Sequence, residues 1–207
     1  MEIHMTEEKE KDLDRIFRFL LEIDKAKSVF RQTPVSDASR KENDAEHSWH
    51  LAIMALLLGD YANEKVNVSR VMEMVLIHDL VEIYAGDTYA YDEIGKTTQR
   101  EREVNAADRL YALLPEKHRE RLRSLWDEFE EEATPEAKFA HALDHVQPTM
   151  LNHATNGVSW KEHGVCMSQV LDRNRKTPEG SAELWEYARK HFIEPHADVF
   201  RRDSESG

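Results

Sequence analysis

The stretch VLIHDLVEIYAGD, residues 75–87, sets an imidazole beside a carboxylate, His78-Asp79, inside an apolar run. Burying both groups is costly unless something compensates them. Counted in helical register, Val71, Met74, Val75, His78 and Glu82 fall on one stripe, so His78 and Glu82 face the same way as the apolar residues. Imidazole and carboxylate are both good metal ligands, and a bound cation is the simplest compensation.

Working outward, the chain offers partners on both sides. In AEHSWHLAIMALLLGDY, residues 45–61, His47, Leu51, Met54 and Leu58 share one helical face. In PEAKFAHALDHVQP, residues 135–148, Ala137, Ala140, His141 and Asp144 share another, and the small alanines permit close helix approach. Three helices can therefore direct His47, then His78 with Asp79, then Asp144 at one centre. Two nitrogens and two carboxylates suit a single divalent ion, Mn²⁺, Co²⁺, Fe²⁺, Zn²⁺ or Mg²⁺. His50, one turn after His47, and His141 and His145, which flank Asp144, stay open as ligands, neighbours of ligands or surface residues.

The words AEHSW, HDLVEIYAGD and, far downstream, ALD (Ala142 to Asp144) occur in the order that resembles the HD-domain metal-dependent phosphohydrolases, and in particular their 5′-deoxynucleotidase branch. The resemblance covers roughly residues 13–150. It implies an all-α fold, an HD-domain helical bundle with one divalent-metal site between helices, on His47, His78, Asp79 and Asp144. It implies phosphoester hydrolysis, with Glu82 in catalysis and Asp87 in the active site. An arginine that holds the substrate phosphate matches Arg31 in KSVFRQTPVSDASRKENDAEH. Members of the branch often carry Trp after this arginine to read the sugar, whereas Gln32 stands here, so deoxyribose preference is left open. Arg40 and Lys41 are rival phosphate binders or ordinary solvated charges. His118 and His141 lie where two-metal relatives place extra histidines, but neither sits in a matching motif, which favours one ion. The implied substrate is a nucleoside (deoxy)5′-monophosphate. Alternatives are a triphosphate, a cyclic nucleotide, an alarmone, or a non-catalytic domain stabilised by its metal; Glu82 and Asp87 argue against the last.

Composition bounds the rest. The 207 residues suit a single domain over 1–207, with core motifs about 13–150, C-terminal helices about 159–200 and a polar tail at 201–207. Forty-one acidic against 28 basic residues give a formal charge of −13, which argues against a nucleic-acid polymer as partner and leaves a small phosphorylated substrate. LAIMALLL is too short to span a bilayer and the acidic N-terminus lacks signal-peptide character, so no membrane is expected. The single cysteine, Cys166, fits a reducing cytoplasm. Helices are expected near 7–29, 45–63, 68–84, 97–113, 116–131, 135–154, 159–173 and 180–200, with loops at 31–44 and 85–95 and no strand. The first carries Leu13, Ile16, Phe17, Leu20 and Leu21 at helical spacing. Asn43 or Asp44, and Thr134 before Pro135, are the expected N-caps. Glu128 to Glu132 reads as a solvated face. Tyr84, Tyr89 and Tyr91 either stack on a base or pack between helices. Trp160, Trp185, Tyr187 and Phe192 are assigned to core or dimer packing, and a homodimer is expected.

Overall fold

A computed structural model describes residues 5–91 and 93–201. Its first helix, α1 (Glu7–Ile23), is capped by Thr6 and followed by a 3-10 turn, Asp24–Ser28. A hairpin follows, β1 (Phe30–Pro34) paired antiparallel with β2 (Lys41–Asn43). Then come α2 (Asp44–Leu58), α3 (Val68–Ile77), a 3-10 turn at His78–Val81, α4 (Glu82–Ala85), α5 (Glu93–Tyr111), α6 (Glu116–Glu131) and α7 (Pro135–Ala154). The chain closes with the short helices α8 (Val158–Glu162), α9 (Met167–Arg173), α10 (Thr177–Gly180) and α11 (Ala182–Ala188). The six residues beyond Arg201, most of the expected polar tail, lie outside the described residues.

The centre is built from α2, α3 and α7, which pack on one another pairwise. Leu51 and Ala55 of α2, Val71, Met74 and Val75 of α3, and Ala137, Ala140 and Leu143 of α7 are fully buried between them. Trp126 and Phe129 of α6 and Tyr111 of α5 close this core, while Trp160, Val165, Val170, Ile193 and Phe200 form a smaller one under the C-terminal helices. Sharp ends fix where the helices begin. Asn43 caps α2 in a reciprocal capping box with Glu46, and Thr134 caps α7 with Pro135 at its first position. The α10 segment lies so close to α7 that a Cβ at Gly180 would stand 2.1 Å from the Lys138 carbonyl oxygen, so only glycine fits there.

Four expectations need correction. Residues 31–44 are not simply a loop. β1 contains Pro34 and β2 is only three residues long, so neither shows the alternation that marks a strand; the pairing comes from tertiary burial of Glu42 and Asn43. The expected helix 68–84 breaks after Ile77 into the 3-10 turn. There the Glu82 N–H bonds to the Asp79 carbonyl, which releases the His78 carbonyl to accept from Trp126 Nε1 at 3.2 Å. The expected helix 159–173 is likewise split, into α8 and α9 by a turn at Gly164. Finally, most of the apolar residues of α1 do not face the core: Leu13, Phe17, Leu20 and Leu21 are exposed, Leu21 by 75%, while Phe19 turns inward onto Tyr111. Trp49, Ile53, Leu56 and Leu57 make a matching exposed face on α2.

Candidate metal centre and active-site cleft

His47 comes from the first turns of α2, His78 from the end of α3, and Asp144 from the middle of α7; all three are buried. Their ligating atoms lie within 4.8 Å of one another. His47 Nε2 is 2.9 Å from Asp144 Oδ1, and His78 Nε2 is 3.8 Å from the same oxygen. Asp79 joins them, with Oδ2 3.1 Å from His78 Nε2 and 3.9 Å from His47 Nε2. Each imidazole is held by its other nitrogen. His78 Nδ1 donates to the Val75 carbonyl at 2.8 Å, and His47 Nδ1 donates to Gln147 Oε1 at 3.1 Å. Gln147 is itself fixed by donating to Glu42 at 2.9 Å. Both rings therefore turn Nε2 to the centre, which is how ligating histidines are oriented by their surroundings. His78 Nε2 is buried and, although 3.1 Å from Asp79 Oδ2, makes no well-formed hydrogen bond.

Charge surrounds this point. Arg31, carried in by β1, forms an ion pair with Asp79 and lies 3.7 Å from Glu42, 3.8 Å from Asp44 and 3.9 Å from Asp144. Burial works against its charge, but the neighbouring carboxylates more than offset that and hold it protonated. The carboxylates outnumber it. Burial, reinforced by the charge of Asp79, pushes the Asp44 carboxyl up to about 8, and both its oxygens lack partners. Burial and Asp79 push Glu82 well above the carboxylate range, and its Oε2 also has no partner. Asp87 is raised by burial as well. Asp79 and Asp144 go the other way: burial is outweighed by the two histidines and, for Asp79, Arg31. A pocket with this excess of buried carboxylate, two oriented imidazoles and several orphaned polar atoms fits a divalent cation.

The centre opens into a cleft of about 380 Å³. Arg31, His78, Asp79, Glu82, Asp87 and Asp144 all line it, so six of the seven residues expected at the site share one cavity, with His47 behind the wall. Tyr89 and Tyr91 line the same cleft and Tyr89 packs on His163, whereas Tyr84 lies under the Arg109 guanidinium away from the site. Gln32 lines the cleft and accepts from Lys41 at 3.0 Å. Of the rival cations, Arg40 pairs with Glu46 and Lys41 with Glu162. His118 is exposed. His50 bonds to Gln147, His141 to the Phe129 carbonyl and His145 to Thr177, so each has a partner of its own. Sequence reasoning missed Gln147, Glu42 and Asp44. Gln147 lies one turn after Asp144 on the buried face of α7, a signal that could have found it; Glu42 and Asp44 depend on the hairpin.

Comparison with known proteins places these features in context. The HD domain family profile matches residues 23–185. The 5′-deoxynucleotidase HDDC2 of Homo sapiens is 33% identical over 111 residues, 54% of this chain and 53% of that protein. The Danio rerio protein of the same name is 30% identical over 142 residues, 68% of this chain and 70% of its own length. The chain thus spans about half the length of the human relative. Among solved structures, a predicted metal-dependent phosphohydrolase from Magnetospirillum magnetotacticum MS-1 superposes with a TM-score of 0.89 at 44% identity, covering 96% of this chain and 100% of that one. No helix among the described residues is long and apolar enough to cross a membrane.

Proposed function

The chain belongs to the HD domain family, and from that premise we propose that it is a metal-dependent phosphomonoesterase acting on nucleoside 5′-monophosphates. The observation that carries the reading is the convergence of two Nε2 atoms and two carboxylates at the edge of a cleft that also holds Arg31 and Glu82. His47, His78, Asp79 and Asp144 would hold one divalent ion, and their mixed nitrogen and oxygen donors admit Mn²⁺, Co²⁺, Fe²⁺, Zn²⁺ or Mg²⁺. Such an ion, when bound, lowers the pKa of water and draws negative charge from phosphoryl oxygens.

The chain's own residues do the rest. Arg31 exchanges part of its contact with Asp79 for the incoming phosphate and holds charge that builds on the phosphoryl oxygens. Glu82 serves as general acid/base: as the new P–O bond forms and the bond to the 5′-oxygen breaks, it gives one proton to the leaving oxygen and takes one from the attacking water. Asp87, on the same wall, is the second carboxylate assigned to catalysis. The experiment is a panel of nucleoside mono-, di- and triphosphates, cyclic nucleotides and alarmones, given to chelated protein with and without each metal. We expect 5′-monophosphates to be hydrolysed and 3′-monophosphates not, because only one phosphate position reaches both Arg31 and the metal ligands. With Gln32 rather than an aromatic wall beside the sugar, deoxy and ribo substrates should differ by less than about 10²-fold in kcat/KM. Turnover confined to triphosphates or alarmones would replace the substrate; none on any compound would leave a binding domain.

The exposed apolar faces of α1 and α2 support a homodimer in which a second copy covers them, with Leu57 (70% exposed) and Leu21 as anchors. Light scattering should give twice the 24.2 kDa chain mass, and Leu57→Glu should halve it; a monomeric wild type would remove this reading. A single buried cysteine and a nucleotide substrate support a cytoplasmic location, which cell fractionation would check.

A further inference from the structure

A phosphate dianion entering this cleft meets the carboxylates of Asp79, Glu82, Asp87 and Asp144, and Arg31 alone is a poor match for it. That guanidinium is already shared among several acids, Asp79 above all. Three further cations line the cleft, and two have partners of their own: Arg175 reaches Asp172 at 3.3 Å and Lys176 reaches Glu132 at 3.1 Å. Arg173 differs. Among the described residues its one ion pair is with Asp144, Nη2 to Oδ2 at 3.7 Å, beyond hydrogen-bond reach. Its side chain is 41% exposed, so its donors are available to a ligand.

The fold also goes to some length to hold this residue in place. Arg173 ends α9, and the next residue, Asn174, is buried. Asn174 Nδ2 donates to the Val170 carbonyl at 2.9 Å, and its Oδ1 accepts from Thr177 Oγ1 at 3.2 Å. Thr177 Oγ1 in turn lies 3.0 Å from His145 Nδ1, on the residue that follows Asp144. A buried polar chain thus ties the end of α9 to the part of α7 that carries Asp144, and such chains fix geometry when every member is satisfied.

We propose that Arg173 is a second phosphate-binding residue of this cleft. It lies 3.7 Å from Asp144 Oδ2 and Arg31 lies 3.9 Å from Oδ1, so the two guanidiniums flank one carboxylate and can hold different oxygens of the same phosphate. The inference rests on the phosphomonoesterase reading. A merely structural role would make Arg173 a prop for Asp144, and the two roles separate experimentally. Wild type, Arg173→Ala, Arg173→Lys and Arg31→Ala are loaded with Mn²⁺. Inorganic phosphate is titrated into each by calorimetry, with metal content and kcat/KM on a 5′-monophosphate measured alongside. Arg173→Ala should weaken phosphate binding and kcat/KM by about 10- to 100-fold, the range for a hydrogen bond to a charged group, with metal content unchanged and part of the loss recovered in Arg173→Lys. Phosphate binding equal to wild type in Arg173→Ala overturns the proposal, and so does loss of metal, which would make the residue a prop. If wild type neither binds phosphate nor hydrolyses any monophosphate while Arg31→Ala behaves identically, the enzymatic reading fails and takes this one with it.

Discussion

Replacing His78 by alanine is expected to lower divalent-metal affinity by at least about 10²-fold and to reduce hydrolysis with it. Removing a group that merely orients a ligand already costs about 10- to 100-fold in affinity or activity, so removing the ligand itself should cost no less. The ring does structural work too: it packs against Phe129 at 5.0 Å and donates to the Val75 carbonyl, so some stability will be lost with it. Asp144→Asn separates the two effects, since it keeps the volume at that position and changes only the charge and donor set. It should lose metal comparably while unfolding at a denaturant concentration near that of wild type. Elemental analysis of the three proteins after dialysis is the measurement. Equal metal in all of them would remove His78 and Asp144 from the ligand set, whatever the activities showed.

The clustering of His47, His78 and Asp144 is legible in the sequence because helices repeat every 3.6 residues and buried polar groups stand out against an apolar stripe. Val71, Met74, Val75 and His78 share a stripe in the sequence and a buried face in the structure, and the same holds for His47 with Leu51 and Met54. Periodicity failed where burial is decided by distant chain. Leu13, Phe17, Leu20 and Leu21 have core-like spacing, yet what α1 packs against is set by the other elements, and only Phe19 and its neighbours Ile16 and Ile23 find them. The hairpin was invisible because FRQTP and KEN carry no strand pattern, and with it went the surroundings of Arg31: Glu42 and Asp44, which approach only when β2 runs into α2. Arg173 was hidden for the same reason. It stands 29 positions after Asp144, in an RNRK run that reads as solvated charge until α9 is docked.

Glu82→Ala is the substitution that should divide binding from chemistry. Glu82 lies one turn beyond His78 and opens α4; it is buried, lines the cleft, and keeps one carboxylate oxygen without a partner. Its carboxylate stands within 4.8 Å of those of Asp44 and Asp79 and outside the cluster of His47, His78 and Asp144, so its removal should leave that cluster intact. Metal content and phosphate affinity should therefore stay close to wild type, while kcat falls by about 10²-fold or more, the scale of a lost general acid or base. A fall in kcat with little change in KM is the pattern of an interaction made in the transition state and not in the ground state. Taking a buried, unpartnered carboxyl away from other carboxylates also relieves repulsion, so the variant should be no less stable than wild type apart from the small cavity it leaves. Glu82→Gln sharpens the test, because it fills the same space and still hydrogen-bonds but cannot carry the proton. If Gln restores turnover, Glu82 positions water and does not move its proton; if both variants turn over like wild type with metal bound, Glu82 has no place in the mechanism.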